Sequence, residues 1–322
     1  MKKTLLKDIA ETLGLSTSQV SRALRLQEYV SDDTRDRVLR MAKKMKYRNL
    51  SIRHRKRIVI LADYLNNFEF HILNQFLIES ERMKFYYSVF PLKNLEKLDY
   101  RSFDGAILIS QNPEQIKWCE KFKIPLVVIN HYGNSMENIG SVFPDADQEV
   151  RTAMMHFIGL GHKKIARLCF IRSIKNDRKI RGTDEFYRIA EENGIRDQVF
   201  SSYVEKTDEK LIEKILHLAD EGFTAFLLIV SESAPHLLHA IQQTGRRVPE
   251  DISLITYEYD CSAYLNPPLT TIEYDYEQLV RKAVEQLKNE IAGKKIIPEI
   301  QIPCRLNIRN STAAPPRNKK KQ

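Results

Sequence analysis

Cysteine is scarce and unpaired in this chain: four are present in 322 residues, at Cys119, Cys169, Cys261 and Cys304. Wide spacing excludes zinc ribbons, which need close Cys or His pairs, and disulfide scaffolds, which are small and Cys-dense. Long apolar runs are also missing, and no stretch approaches the roughly 18–20 residues a membrane span needs. Charge interrupts Met1-Lys2-Lys3-Thr4-Leu5-Leu6-Lys7-Asp8 too early for a secretory hydrophobic region, so a cytoplasmic chain with no membrane partner is expected. There is no Gly-Lys-Ser/Thr phosphate loop, Gly-x-Ser-x-Gly elbow or metal-spaced His cluster, so neither a cofactor nor a metal is expected. Gly159-Leu160-Gly161 follows a helical pattern and precedes a strand, the reverse of what phosphate cradling requires; His162 beside it reads as a turn organiser. With 43% hydrophobic and 29% charged residues the chain is globular, and its length suits two or three domains.

The net charge of +9 is unevenly spread. Residues 1–57 hold 16 Lys/Arg against 6 Asp/Glu, residues 58–310 hold 31 against 36, and the last twelve add four cations. Basicity concentrated in a small N-terminal unit suits a module that holds a polyanion, although a solvated charged face would look the same by charge alone.

The motif in that unit separates the two readings. Residues 5–13 have helical spacing, with Leu6, Ile9, Ala10 and Leu13 on one face, and Gly14 stands where a helix wants a left-handed residue. Ser16-Thr17-Ser18-Gln19 reads as a capping box, and the helix it starts turns Val20, Ala23 and Leu24 inward. Ser31-Asp32-Asp33-Thr34 opens a third helix to about Lys46, with Val38, Met41, Ala42 and Met45 apolar. Two short helices across a three-residue turn make a helix-turn-helix, whose second helix would lie in the major groove of double-stranded DNA. Arg22 can give a two-pronged contact to guanine, worth about 1–3 kcal/mol of discrimination. Thr17 and Ser18 would reach neighbouring base edges, and Ser16, Ser21, Lys7 and Thr34 are better placed for phosphates.

The segments "TLLKDIAETLGLSTSQVSRAL" and "YVSDDTRDRVLRMAKKMKY" resemble, nearly end to end, the DNA-binding headpiece of the lactose-repressor (LacI/GalR) family. The resemblance implies a homodimeric transcription factor, a repressor in most relatives, on a near-palindromic operator. Relatives usually follow the tyrosine with Pro-Asn and a short helix whose leucine wedges into the minor groove. This chain instead reads Tyr47-Arg48-Asn49-Leu50-Ser51-Ile52-Arg53-His54-Arg55-Lys56-Arg57, without the proline. We therefore expect a linker that holds DNA mainly by charge, through Arg53, Arg55, Lys56 and Arg57, each cation steepening the salt dependence by about 0.9. A solvated interdomain linker is the alternative.

From Ile58 onward, apolar runs (58–62, 86–90, 106–109, 126–129, 165–170, 225–230, 252–257) alternate with helical stretches (72–83, 149–160, 183–193, 210–220, 235–244). This alternation predicts parallel sheets with helices on both faces, and some 250 residues suit two such lobes around a cleft. "IGLGHKKIARLCF", "GRRVPEDISLITYEYD" and "NPPLTTIEYD" are similar to segments of the same family. The implied fold is an all-α helix-turn-helix headpiece joined to an α/β periplasmic-binding-protein-like core of two Rossmann-like lobes. The expected organisation is a headpiece at 1–47, a basic linker at 48–57, an effector-binding and dimerisation domain at 58–310, and a disordered basic tail at 311–322. Within the core, the first lobe is placed at about 58–143 plus 275–299 and the second at about 144–274 plus 300–310.

By the same resemblance, effector contacts come from strand ends facing the cleft. Asn130 stands where relatives bind sugar hydroxyls, and Phe143 matches an aromatic that can stack on a ring. The family's hydroxyl-binding arginine falls on Lys179 by spacing and on Arg178 by residue type. Glu232 and Glu258 stand where relatives most often have Asp, and Tyr64 and Tyr274 lie near the mouth. Such a set suits a small effector, a carbohydrate before others. Asn130 and Glu258 could instead cap strand ends, and Phe143 could be core. Response to a protein partner or a non-sugar metabolite is the alternative for the whole chain. Two glutamates also invite a glycosidase reading, which the attached DNA module disfavours, so no enzymatic activity is expected. Residues 313–322 carry no leucine heptad, which favours a dimer over a tetramer.

Overall fold

A computed structural model describes residues 4–24, 30–47, 56–62, 67–83, 85–110, 112–130, 139–171, 181–205, 208–230 and 232–316. Helices α1 (Leu6–Leu13), α2 (Thr17–Leu24) and α3 (Asp32–Lys44) form the headpiece. Gly14 ends α1 at φ +64, the left-handed turn expected of it, and Leu15 N–H returns to the Ala10 carbonyl at 3.0 Å. Ile9, Ala10, Val20, Ala23, Leu24, Val38, Ala42 and Tyr47 make one small core. A core of this size leaves the outer faces of all three helices to solvent.

The remainder folds as two six-stranded sheets. Strands β1 (Arg57–Ala62), β2 (Tyr86–Pro91), β3 (Gly105–Ile109), β4 (Leu126–Ile129), β5 (Gly140–Pro144) and β11 (Glu299–Ile302) form the first, in the order β11-β5-β4-β3-β1-β2. Strands β6 (Ile165–Ile171), β7 (Val199–Glu205), β8 (Ala225–Ile229), β9 (Ser253–Tyr257), β10 (Thr270–Tyr274) and β12 (Cys304–Asn307) form the second, in the order β12-β10-β9-β8-β6-β7. All pairings are parallel except β10 with β12. The central strands are buried on both faces, which is why they read as continuous apolar runs.

Helices α4 (Asn67–Met83), α5 (Pro113–Cys119) and α10 (Tyr276–Ile291) belong to the first lobe. In the second, α6 (Ala146–Gly159) and α7 (Thr183–Glu192) cover one sheet face and α8 (Asp208–Asp220) and α9 (Ala234–Gln243) the other. Among the described residues the chain crosses between lobes three times, after β5, after β10 and after β11. Two of the crossings are laced together: Asp145 N–H donates to the Ile302 carbonyl (2.9 Å), and Gln148 pairs with the Cys304 backbone through its Nε2 and Oε1 (3.1 and 2.9 Å).

Two expectations are corrected here. The last crossing falls beyond 299, because Glu299–Ile302 pairs with β5 in the first sheet. Residues 311–316 are not a loose tail. Ser311 is buried, its Oγ donates to the Leu254 carbonyl at 2.7 Å, and the Ala313 carbonyl accepts from Ser253 Oγ at 3.1 Å and lies 2.8 Å from His162 Nε2. The segment supplies partners to β9 that a free tail would leave unpaired. Residues 317–322 lie outside the described set. Among the described residues no helix is long and apolar enough to cross a membrane.

Packing α10 on the first sheet partly buries Glu290, whose Oε2 accepts from the Leu126 N–H at 3.2 Å. Burial pushes its carboxyl up to about 7. A carboxyl whose folded pKa is raised stabilises the fold less as pH climbs through that value, because the unfolded chain has already released the proton. Glu290→Gln is therefore expected to leave the denaturation midpoint almost unchanged at pH 5 and to stabilise the protein by ~1–2 kcal/mol at pH 8, after discounting for the group's partial exposure. Urea titrations at the two pH values read this difference, and equal effects at both would contradict it.

Candidate functional site

The headpiece builds a DNA-reading face from α2. Ser16 N–H donates to Gln19 Oε1 (2.9 Å) and Gln19 N–H donates to Ser16 Oγ (3.1 Å), so reciprocal capping fixes where the helix begins. Burial of Val20, Ala23 and Leu24 leaves Thr17, Ser18 and Arg22 exposed on the opposite side, with Ser21 half-buried at the edge. Arg22 Nη2 donates to Ser18 Oγ at 2.8 Å, one turn back. That bond holds the guanidinium towards the N-terminal end of α2, the end a recognition helix presents to base edges.

The phosphate-facing candidates are distributed around this face. Lys7 is exposed, and its Nζ lies 3.7 Å from Glu11, a weak solvent-screened pair. Thr34 sits in the first turn of α3, donating its N–H to Ser31 Oγ at 3.3 Å and accepting from the same hydroxyl at 2.9 Å. Arg53 and Arg55 lie outside the described residues. Lys56 and Arg57 are exposed and stand where the chain enters the first lobe. Asp104 accepts from Lys56 Nζ (2.8 Å) and from the Arg57 N–H (2.8 Å), and the Arg57 guanidinium lies 5.3 Å from the centre of the Phe103 ring. Asp104 stands beside the start of β1 and satisfies its first N–H, with the exposed Lys56 ammonium as its solvent-screened ion-pair partner.

The second candidate site is the seam between the lobes, at the carboxyl ends of both sheets. Each sheet reverses strand order there, between β1 and β3 in one and between β6 and β8 in the other, and ligands of open α/β sheets bind at such points. Asn130 follows β4 with φ +71 and is buried; its N–H donates to the Val142 carbonyl at 3.0 Å. Phe143 lies within β5 and is only 4% exposed. Tyr64, Arg178 and Lys179 lie outside the described residues.

Both glutamates are engaged by protein groups. Glu232 Oε1 accepts from the Asn67 N–H at 2.7 Å, which puts its charge at the N-terminus of the 17-residue α4 in the opposite lobe. Asn67 Nδ2 also donates to the Glu258 carbonyl at 3.0 Å, so this one residue reaches both positions. The Glu258 carboxylate turns into its own lobe, accepting from Arg309 Nη2 at 2.9 Å and from the Thr271 hydroxyl. Close by, His71 Nε2 lies 3.4 Å from Asp260, and the Tyr274 ring packs against Phe68 (5.7 Å), Tyr257 (5.3 Å) and Tyr276 (6.1 Å).

Beneath the seam lies a polar cluster that sequence reasoning missed. Glu149, in the first turn of α6, is 3% exposed; it accepts from the Tyr257 hydroxyl and, at 3.4 Å, from the Tyr274 hydroxyl. Burial raises its pKa, against the pull of Tyr257, Arg167 and Tyr274. Arg167, on β6, is 1% exposed and donates from Nη2 to the Arg181 carbonyl. A signal for both existed. Arg167 interrupts the apolar run Ile165–Ile171, and Glu149 falls beside Val150 on the inward face of α6, so each charge demanded a partner.

A model of bacterial regulatory proteins of the lacI family matches residues 5–49, and a periplasmic binding protein-like domain model matches residues 154–312. The chain belongs to the LacI family. Among the relatives of this LacI-family chain, the HTH-type transcriptional repressor PurR of Aliivibrio salmonicida is 26% identical over 314 residues, spanning 90% of this chain and 92% of that protein. The lac repressor dimer bound to operator and the anti-inducer ONPF superposes with a TM-score of 0.70 at 21% identity, covering 97% of this chain and 100% of that one. A LacI-family regulator of Enterococcus faecium with bound ribose gives a TM-score of 0.67 at 23% identity, covering 80% of this chain and 99% of that one. The protein is thus a DNA-binding transcriptional regulator with a LacI-like fold.

Proposed function

We propose that this LacI-family protein is a homodimeric repressor that reads a near-palindromic operator through α2. Its operator affinity is set by a small carbohydrate-like effector bound between the lobes. The observation that carries the DNA-reading part is the Arg22–Ser18 pair on the exposed face of a reciprocally capped helix. A headpiece this small covers one half-site, so two copies are required, spaced by about one helical turn or a multiple of it. A face for the second copy is available on the first lobe. Phe70, Leu77 (73% exposed) and Ile78 project from α4, on the side of the sheet that Val89 faces from β2, the edge strand. Apolar side chains of this size on one face suit an isologous two-fold contact.

The effector part rests on two facing sheet ends joined by Asn67, and on the sugar bound by the Enterococcus faecium relative. A ligand that changes how the α4 end fits Glu232 and Glu258 changes lobe orientation, and with it the spacing of the headpieces. The coupling cannot exceed the ligand's differential affinity for the two arrangements.

Selection of bound sequences from random duplexes, with and without candidate sugars, tests the whole reading. The expected result is an enriched inverted repeat whose recovery changes with one class of ligand, bound by a chain that sediments as a dimer. Enrichment of no motif, or binding by a monomer, would defeat it.

A further inference from the structure

Arg167 is the least explained side chain in the described structure. It is fully buried, yet among the described residues its Nε and Nη1 have no hydrogen-bond partner, and Nη2 makes the bond to the Arg181 carbonyl. Orphaned donors on a buried charged group cost more than those on a neutral one, and such a group calls for an explanation. Its position supplies one. Arg167 lies on β6, the strand at which the second sheet reverses order, and its neighbour Glu149 is held by Tyr257 and Tyr274, the last residues of β9 and β10. Tyr274 packs directly on Phe68 of the first lobe, so the cluster runs from the interlobe seam down to the guanidinium.

We infer that Arg167 and Glu149 floor the effector site, and that the effector is a polyhydroxylated metabolite bearing an anionic group that pairs with the Arg167 guanidinium. This deepens the effector reading above and rests on it. The charge balance favours an anion over a neutral sugar. Burial pushes Glu149 towards its neutral form, so it offsets the guanidinium incompletely. The neighbouring thiols of Cys169 and Cys304 are pushed up to about 12 and contribute no negative charge near neutral pH. Asp145, the nearest acidic residue preceding α6, spends Oδ1 on capping the Gln148 N–H at 2.9 Å. Arg181 adds a second cation close enough to act on Glu149. A ligand carboxylate or phosphate would supply the missing charge and the missing acceptors together, while the Tyr257 and Tyr274 hydroxyls remain bound to Glu149.

The test is thermal stabilisation of the full-length chain by D-glucuronate, D-galacturonate, D-glucose 6-phosphate, D-glucose and D-galactose, with affinities from the concentration dependence. At least one anionic sugar is expected to bind tenfold or more tightly than its uncharged counterpart, and the uronate and phosphate arms distinguish the two sources of charge. Arg167→Gln is expected to lose at least tenfold of that affinity and Arg167→Lys to recover part of it. Glu149→Gln, which removes the competing negative charge, should tighten the anionic sugar about threefold or more; a purely structural Glu149 would give unchanged or weaker binding. If Arg167→Gln does not melt cooperatively, the sign of the Glu149→Gln effect decides. Equal binding of charged and uncharged sugars overturns the inference and leaves the effector reading in place. No stabilisation by any of the five also overturns it, and the effector reading is then judged by the operator selection alone.

Discussion

Replacing Arg22 with alanine is expected to weaken binding to the selected operator by about 1–3 kcal/mol at each half-site, the value of a two-pronged guanine contact. The structure makes Arg22 the one exposed cation on α2, steered by Ser18 towards the helix's reading end. Its loss should fall on the preferred sequence and spare random DNA, because a base contact discriminates whereas a phosphate contact does not. The slope of log affinity against log salt should change little. A phosphate role would instead lower it by about 0.9 per protomer, with a uniform loss over all sequences. Thermal stability should stay within about 0.5 kcal/mol, since the side chain is exposed and contributes nothing to the headpiece core. Fluorescence anisotropy on operator and scrambled duplexes at several salt concentrations separates the outcomes. Equal losses on both duplexes would remove Arg22 from the reading face.

A different substitution should strike the fold. Gly182→Ala is expected to destabilise the protein by about 2–4 kcal/mol, the sum of a left-handed backbone penalty and a steric overlap. Gly182 caps α7 at φ +66, where an L side chain is strained before any contact is counted. A Cβ there would also meet Val150 Cγ2 at 2.7 Å and the Ala146 carbonyl oxygen at 2.8 Å. The second is backbone in the first turn of α6 and cannot swing aside. The adjoining Arg181 carbonyl is the acceptor of Arg167, so the same shift would disturb the charged cluster under the seam. The midpoint of chemical denaturation measures the cost, and a loss below about 1 kcal/mol would mean that α6 and α7 move apart more freely than their packing implies.

Much of this architecture was legible in the residues. The capping box at Ser16 and Gln19, the turn at Gly14 and the N-cap at Ser31 all formed as read, because each involves groups within a few residues of one another. The buried runs of β1, β3, β4, β6, β8 and β9 were visible for a related reason, since strands covered on both faces leave an unbroken apolar record. Strands β5, β7, β10, β11 and β12 leave no such record in the sequence. Most lie towards sheet margins or crossings, where polar residues such as Ser141, Ser201, Thr271, Glu299 and Arg305 dilute the signal. Helix α10 leaves a similarly weak signal, its apolar positions Leu279, Val280, Ala283, Val284 and Leu287 being separated by charges.

The sequence by itself determined the headpiece, its capped reading helix and the alternation that demands two parallel sheets, because caps, turns and periodicity act over short distances along the chain. Which partner each charged side chain takes was decided only in three dimensions. Asp104 claims Lys56, Arg309 claims Glu258, and the end of α4 claims Glu232, each across 48 or more positions. The buried Arg167 and Glu149 belong to the same category. An ionised group is satisfied by whatever the fold brings within about 3 Å, and proximity of that kind is created by the sheet order and the three lobe crossings.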